Sequence, residues 1–571
     1  GRVEPGLDPC AALQIHIDLA PGEEQEVYFL LGQGADRHDA LRLVERFQDR
    51  AAVRDAWRDG IARWEAILSQ VQVQTPDPAL DVLVNRWLLY QALSCRVWGR
   101  SALYQSSGAY GFRDQLQDVM ALVHAAPDLA REQILRAARH QFEEGDVLHW
   151  WHPPSGRGVR TRFSDDLLWL PFVTAHYVEA TGDVSILSER EPSLVGEPLA
   201  PDEEERYGLF DTSAEEITIY EHCLRAIRRG DTSGPHALPL FGGGDWNDGM
   251  NRVGIEGRGE SVWLGWFLYA TMTRFAPLAE RMGDAEVAAA LRGRAHELLI
   301  ALDAEAWDGE WYLRGYYDDG TPLGSHTSEE CQIDAIAQSW SILSGAALRE
   351  DGGRTAERAR QAMSAVLERL VHREERLLLL FTPPFDRTPK DPGYIKGYAP
   401  GIRENGGQYT HAAIWTVWAY AELGEGDLAG ELYRLINPVY RADSLEDARR
   451  YRVEPYVISA DVYGVPPHVG RGGWTWYTGS ASWMYRLGVE ALLGLRRRGD
   501  RLLVNPCIPR DWEGFTVTYR YGAARYDIRV QNPRGVHRGV SEVTLDGVPL
   551  ADNLVPLHDD GKQHAVHVFL G

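Results

Sequence analysis

Long apolar runs are missing from this chain: no stretch of eighteen or more apolar residues occurs, so no segment reads as a membrane span. Cysteine is nearly missing as well. The five present, Cys10, Cys95, Cys223, Cys331 and Cys507, are odd in number and never fall in CxxC spacing, which argues against a disulfide framework and a thiolate zinc site. They point to a reducing compartment, the cytoplasm, with the chain either free there or the cytosolic part of a larger inner-membrane protein. Basic residues are outnumbered, 59 against 83 acidic, and the formal charge of −24 makes nucleic acid or an anionic bilayer a poor partner. No GxxxxGK[ST] phosphate loop is present, and a calcium loop over Asp245 to Gly249 fails because Gly249 stands where an Asp or Asn is needed. No metal and no organic cofactor is expected. A starting Met, a signal peptide and a transit segment are also lacking, and the chain enters at once into strand-like sequence, which reads as a piece of something longer.

What is present is a large apolar complement, 44% of 571 residues, enough for several domains or one big barrel with appendages. Residues 12 to 32 hold two apolar or alternating runs around Pro21-Gly22, a hairpin signal. Residues 37 to 70 switch to helical periodicity. From Asp77-Pro78 to about Gly494 amphipathic helices dominate, predicted over 78–98, 115–125, 129–143, 165–180, 214–229, 261–282, 285–303, 330–347, 354–371, 408–423, 427–436 and 480–495. No repeat of fixed period marks a solenoid, so a closed ring of helix hairpins is the expected architecture. Beyond Arg498 short alternating runs such as Phe515–Tyr521 predict a small β-sandwich or half of one.

Five Gly-rich and aromatic-rich segments fall between the helices, where loops on one rim of a rigid ring form a pocket. The most informative is Gly242-Gly243-Gly244-Asp245-Trp246-Asn247-Asp248-Gly249: an indole face for a pyranose, polar groups for hydroxyls, and a carboxylic acid able to protonate a glycosidic oxygen. Tyr110–Asp118 places Arg113, Asp114, Gln117 and Asp118 across a helix start. The stretch from His149-Trp150-Trp151-His152 to Asp166 supplies stacking faces and the donor forks of Arg157, Arg160 and Arg162. Pro400–His411 carries Glu404 and His411, and Gly472–Ser480 carries Thr478-Gly479 ahead of a helix, where backbone amides and a hydroxyl make an anion nest. Taken singly, each segment also reads as a capped helix start or a buried aromatic cluster. Their co-occurrence gives the sugar-site reading its force.

These residues resemble glycoside hydrolase family 94, the inverting disaccharide and oligosaccharide phosphorylases. The resemblance rests on Phe112-Arg113-Asp114 with Gln117-Asp118, Asp245-Trp246-Asn247-Asp248, Glu404-Asn405-Gly406-Gly407 with His411, and Thr478-Gly479. The segments 149–154 and 156–166 look most like the phosphorylase region of cyclic β-1,2-glucan synthases and like 1,2-β-oligoglucan phosphorylases. The resemblance implies a mainly α fold: an (α/α)6 barrel catalytic domain at 76–497, preceded by the end of an N-terminal β-sandwich at 1–35 and a helical linker at 36–75, and followed by a C-terminal β domain at 498–571. It implies Asp248 as general acid, Arg113, His411, Thr478 and Gly479 as phosphate ligands, and Trp246, Asp118 and Glu404 as sugar-binding positions. Asp114, Gln117, Trp150, Trp151, Arg162, Asp245 and Asn247 complete the candidate substrate site. Inorganic phosphate is then a co-substrate, a β-glucan the partner and phosphorolysis to α-glucose 1-phosphate the reaction. Most of the family's N-terminal sandwich is absent from this chain, which leaves a homodimer and the acceptor subsite open. Two other readings stand beside this one: an (α/α)6 hydrolase with Asp248 as acid and Glu404 or another carboxylate as base for water, and a non-catalytic glucan-binding module using aromatics such as Trp150, Trp151 and Trp246.

Overall fold

The computed structural model describes residues 12–99, 105–349 and 352–571, which fall into two compact units meeting at Ala66/Ile67. In the first, residues 12–34 run without regular structure on either side of the Pro21-Gly22 turn, where Gly22 takes φ +83°. The expected hairpin does not form a ladder there. Its apolar residues Leu13, Ile15, Ile17 and Leu19 are 40–75% exposed, so no buried face holds two strands in register. Helices α1 (Arg37–Arg46) and α2 (Arg50–Leu68) follow, α1 capped by Asp36.

In the second unit, α3 spans residues 78–97 and opens as predicted, with Asp77 accepting from the amides of Ala79 and Leu80 and Pro78 in the first turn. It contains two π-helical stretches, Leu83–Trp87 and Ala92–Val97. Then come α4 (Phe112–Val119), α5 (Pro127–Ala138), α6 (Trp169–Thr181), α7 (Ile219–Gly230), α8 (Val262–Arg281), α9 (Ala285–Glu305), α10 (Ala335–Leu343), α11 (Gly353–Arg369), α12 (Thr410–Glu422), α13 (Gly426–Ile436), α14 (Leu445–Tyr451) and α15 (Ser480–Arg486). Packing sorts most of them into two layers. Helix α4 touches α6, α6 touches α8, and the chain of neighbours runs on through α10, α12 and α15 back to α4. Helices α5, α7, α9, α11, α13 and α3 lie against this inner set.

The residue pattern explains the sorting. Helix α12 is buried from Thr410 to Ala421, apolar all round, as a helix surrounded by others must be. Helix α9 buries only Ala288, Leu291, Ala295, Leu298, Ala301 and Leu302, one stripe at helical spacing.

Sheet takes a larger share than the mainly α expectation: the fold is mixed, 42% helical and 20% strand. Residues predicted to begin the helix at 214 instead form strand Asp211–Thr218, paired with Arg190–Val195; Thr218 then caps α7. A four-stranded sheet, ordered Tyr110–Gly111, Leu148–His152, Arg157–Thr161, Glu205–Gly208, covers one side of the ring. At the C-terminal end Gly514–Tyr521, Ala524–Gln531, Val540–Leu545, Val548–Pro549 and Gln563–Leu570 form one sheet, which takes Val71–Gln74 as an edge strand in register Val71 to Tyr519. No helix among the described residues is long and apolar enough to cross a membrane.

Candidate active site

The loops that precede α4, α8, α12 and α15 meet over one end of the ring and enclose a cavity of about 300 Å³. Nine predicted site residues line it: Arg113, Asp114, Gln117, Trp246, Asp248, Glu404, His411, Thr478 and Gly479. The N-termini of α4, α12 and α15 open onto it, and amide dipoles at helix starts favour negative charge there.

Asp248 sits in a three-residue turn after Asn247, whose side chain accepts from the Gly249 amide at 3.2 Å and caps that turn. Its carboxylate is a third exposed and is held by two cations. Arg113 Nη2 donates to Oδ1, and the His149 imidazole lies 3.7 Å from Oδ2. Burial alone would raise the Asp248 pKa, but Arg113 and His149 outweigh it and hold it down at about 2. The free protein therefore keeps Asp248 ionised.

Arg113 is almost fully committed to the protein. It donates to Asp165 at 2.6 Å and to the carbonyls of Asp245 and Trp246 at 3.0 and 3.2 Å, with Asp166 at 3.5 Å from Nε. This clamp ties α4, the start of α6 and the Asp-Trp-Asn-Asp loop into one rigid floor. His149 Nδ1 is 2.7 Å from Asp166, and its ring stacks on Phe163 at 4.4 Å. Burial works against its charge, but Asp166 and the Asp248 contact raise its pKa to about 10, so it is an imidazolium at neutral pH.

On the opposite wall His411 is 8% exposed and packed edge-on against Trp246 at 5.3 Å and Trp415 at 4.6 Å. Burial, with the charge of Arg96 adding to it, lowers its pKa to about 3, so the ring is neutral. Its Nε2 is buried and has no hydrogen-bond partner among the described residues, a group that costs stability unless a ligand meets it. The Thr478 hydroxyl lies 2.9 Å from that of Ser480 and accepts from the Ser480 amide. Glu404, with Arg403 at 3.3 Å, has its pKa raised by burial.

Six predicted residues lie elsewhere. Asp245 is fully buried beneath the loop, held by both Nη atoms of Arg314 at 2.6 Å and by Ser261 at 2.6 Å. Both its oxygens are occupied, so it supports the loop and does not reach a ligand. Asp118 is also fully buried, behind the wall, donated to by Arg96 at 2.8 Å and Ser482 at 3.1 Å; burial, with Asp114 adding to it, raises its pKa to about 6. Trp151 stacks on His140 at 3.7 Å inside the core, and Trp150 packs against His152 and Tyr207. Arg162 turns outward to the carbonyls of Ala200 and Glu203. Asn247 is buried in its capping role.

Conversely, Arg96, Tyr409, Trp474 and Tyr477 line the cavity without having been singled out as site residues. Arg96 occupies the second π-helical stretch of α3, lies over Tyr477 at 4.3 Å, and donates to Asp114 at 3.0 Å. No local pattern marks it, although π-helical turns cluster at functional sites. His149 adjoins Trp150-Trp151 in the chain, and its imidazole, not their indoles, reaches Asp248.

Fold and cavity together are those of an enzyme: a rigid helical frame whose rim loops bring the Asp248 carboxylate, with Asp114 and Glu404 on the same cavity, against cationic and neutral donors. Comparison with known proteins gives the family. Residues 63–494 match the glycosyl hydrolase 94 superfamily catalytic domain and residues 1–50 match the glycosyl hydrolase 94 supersandwich domain. The chain belongs to this superfamily and is an enzyme of the glycoside phosphorylase kind. It is 49% identical over 531 residues to the cyclic β-(1,2)-glucan synthase of Rhizobium meliloti (strain 1021), matching 93% of this chain and 18% of that protein. It is 32% identical over 565 residues to the solabiose phosphorylase of Paenibacillus borealis, matching 98% of this chain and 68% of that one. The chain thus spans less than a fifth of the synthase's length. Among solved structures, a GH78 family rhamnosidase of Bacillus sp. GL1 shares the fold over 82% of this chain and 43% of its own, at a TM-score of 0.51 and 12% identity.

Proposed function

We propose that this enzyme cleaves the terminal glucosidic bond of a β-1,2-glucan or oligoglucan with inorganic phosphate, giving α-glucose 1-phosphate and a chain shorter by one glucose. On this reading the two-layered ring at 76–497 is an (α/α)6 barrel. Asp248 donates its proton to the leaving glycosidic oxygen while a phosphate oxygen attacks the anomeric carbon from the opposite face. The C–O bond to the chain breaks, the C–O–P bond forms with inversion, and no second carboxylate is needed because phosphate is already anionic. The observation that carries the reading is the buried, partnerless Nε2 of a neutral His411, a residue that lines the same cavity as Thr478, Gly479 and Asp248.

The charge state of Asp248 fits a resting enzyme. A phosphate dianion bound in the same cavity adds negative charge, which raises the proton affinity of Asp248, so the acid is armed by the co-substrate. The β-1,2 linkage is supported by the likeness to the Rhizobium synthase. Incubation with β-1,2-, β-1,3- and β-1,4-linked glucans, with and without phosphate, tests all of this. The expected result is glucose 1-phosphate from the β-1,2 substrate only when phosphate is present. Glucose released without phosphate makes the enzyme a hydrolase, and glucan binding with no product makes it a binding module.

A further inference from the structure

Beside the catalytic cavity lies an open groove of about 570 Å³, edged by Arg452, Glu454, Tyr456 and Trp474. Trp474 lines both spaces, so the groove adjoins the cavity across this ring. Its aromatic rings are unusually bare: Trp474 is 46% exposed and Tyr456 38%. The backbone beneath them is tightly held. The Trp474 amide donates to Asp461 Oδ1 at 3.1 Å, its carbonyl accepts from Ala460 at 2.6 Å, and Ser459 bridges Thr475. Gly473 is obligatory there, since a Cβ would stand 2.1 Å from Asp461 Oδ1. Tyr456 rests on Trp87 at 4.5 Å and has Trp476 at 6.1 Å, the latter in the left-handed region at φ +64°. A non-glycine residue in that conformation costs free energy that surrounding structure must offset, as at ligand-binding sites.

Rigid exposed rings with charged groups at the groove's edge suit one ligand class above others. The C–H face of a pyranose stacks on an indole or phenol ring, and its hydroxyls reach charged side chains around it. From these observations we infer that Trp474 and Tyr456 form a platform for the glucose units of an oligoglucan beyond the bond being cut. This rests on the proposed phosphorolysis, in which that part of the chain is the leaving group. The platform makes the enzyme prefer long chains to disaccharides and keeps the shortened product near the cavity.

The test compares the protein with its Tyr456→Ala, Tyr456→Trp and Trp474→Ala variants. Two readouts are used: calorimetric binding of a longer β-1,2-oligoglucan without phosphate, and kcat/KM for that oligoglucan against the β-1,2 disaccharide. Both alanine variants should weaken long-chain binding about tenfold, as expected for losing one stacked ring. In Tyr456→Ala the long-chain to disaccharide ratio of kcat/KM should fall by a similar factor, and Tyr456→Trp should restore it. Unchanged long-chain binding in both alanine variants, or equal losses on both substrates, overturns the platform. If no phosphorolysis is found, the calorimetric arm decides alone: ring-dependent glucan binding keeps the platform while the proposed reaction falls.

Discussion

Removing the Asp245 carboxylate should damage the fold before it damages substrate binding. Asp245 and Arg314 are both fully buried, joined by two contacts of 2.6 Å, with Ser261 donating a third at 2.6 Å. In Asp245→Ala the guanidinium stays buried, with Asp334 at 3.4 Å the one carboxylate left beside it among the described residues. Stripping one partner from a buried pair costs about 3–5 kcal/mol, because the surviving charge keeps its desolvation penalty. That corresponds to roughly a hundredfold to a few thousandfold in the unfolding equilibrium. A chain of this size is expected to unfold irreversibly, so the assay is the half-life of activity at raised temperature together with the urea midpoint. The double variant Asp245→Leu/Arg314→Met should recover at least half the loss, since it removes both charges and fills the space. Whatever folded Asp245→Ala remains should show a near-normal KM for glucan. An unchanged half-life with a KM raised tenfold would refute the structural role and return Asp245 to the ligand.

Three further outcomes follow from the geometry. Asp248→Asn should lose about 10² to 10⁴ in phosphorolysis while the protein still folds, as removal of a general acid does; near-normal turnover in the folded variant would take that role from Asp248. His411→Ala or Thr478→Ala should raise the phosphate requirement about tenfold or more, read as the KM for phosphate at saturating glucan, and an unaltered value would contradict the nest. His149 should still be an imidazolium at pH 8, visible in the ring nitrogen shifts of labelled protein. Its folded pKa of about 10 lies above the ordinary 6.5, so its stabilising contribution is complete below about pH 6.5 and disappears as pH rises through about 10. A ring found neutral at pH 8 would break the Asp166–His149–Asp248 arrangement.

Local patterns carried the helices and their caps. Asp77-Pro78, Asp284 and Ser261 announce helix starts because side-chain oxygens and a missing amide proton satisfy a first turn wherever it lies. The sequence reading treated both alike as amphipathic helices, whereas α12 proves buried all round and α9 along one stripe. The rim loops were legible too: four of the five Gly-rich and aromatic-rich segments line one cavity, while 148–163 forms two strands. The predicted residues found outside the cavity are set apart by side-chain direction: Asp245 shares its loop with Trp246 and Asp248 yet turns to Arg314, Trp151 stacks from its strand on His140, and Arg162 turns to the 200–203 carbonyls.

The sequence by itself determined the helical frame, the rim segments that converge and the residue types that meet there, because backbone propensity, capping and hydrophobic period are read over a few neighbouring positions. Tertiary structure alone decided which carboxylate faces the cavity and which is locked beneath it, that Arg96 and His149 join the site, and that Val71–Gln74 completes a sheet built from residues beyond 514. Those outcomes depend on pairing buried charges and unsatisfied strand edges across hundreds of residues, and such long-range balances leave no mark on the local pattern.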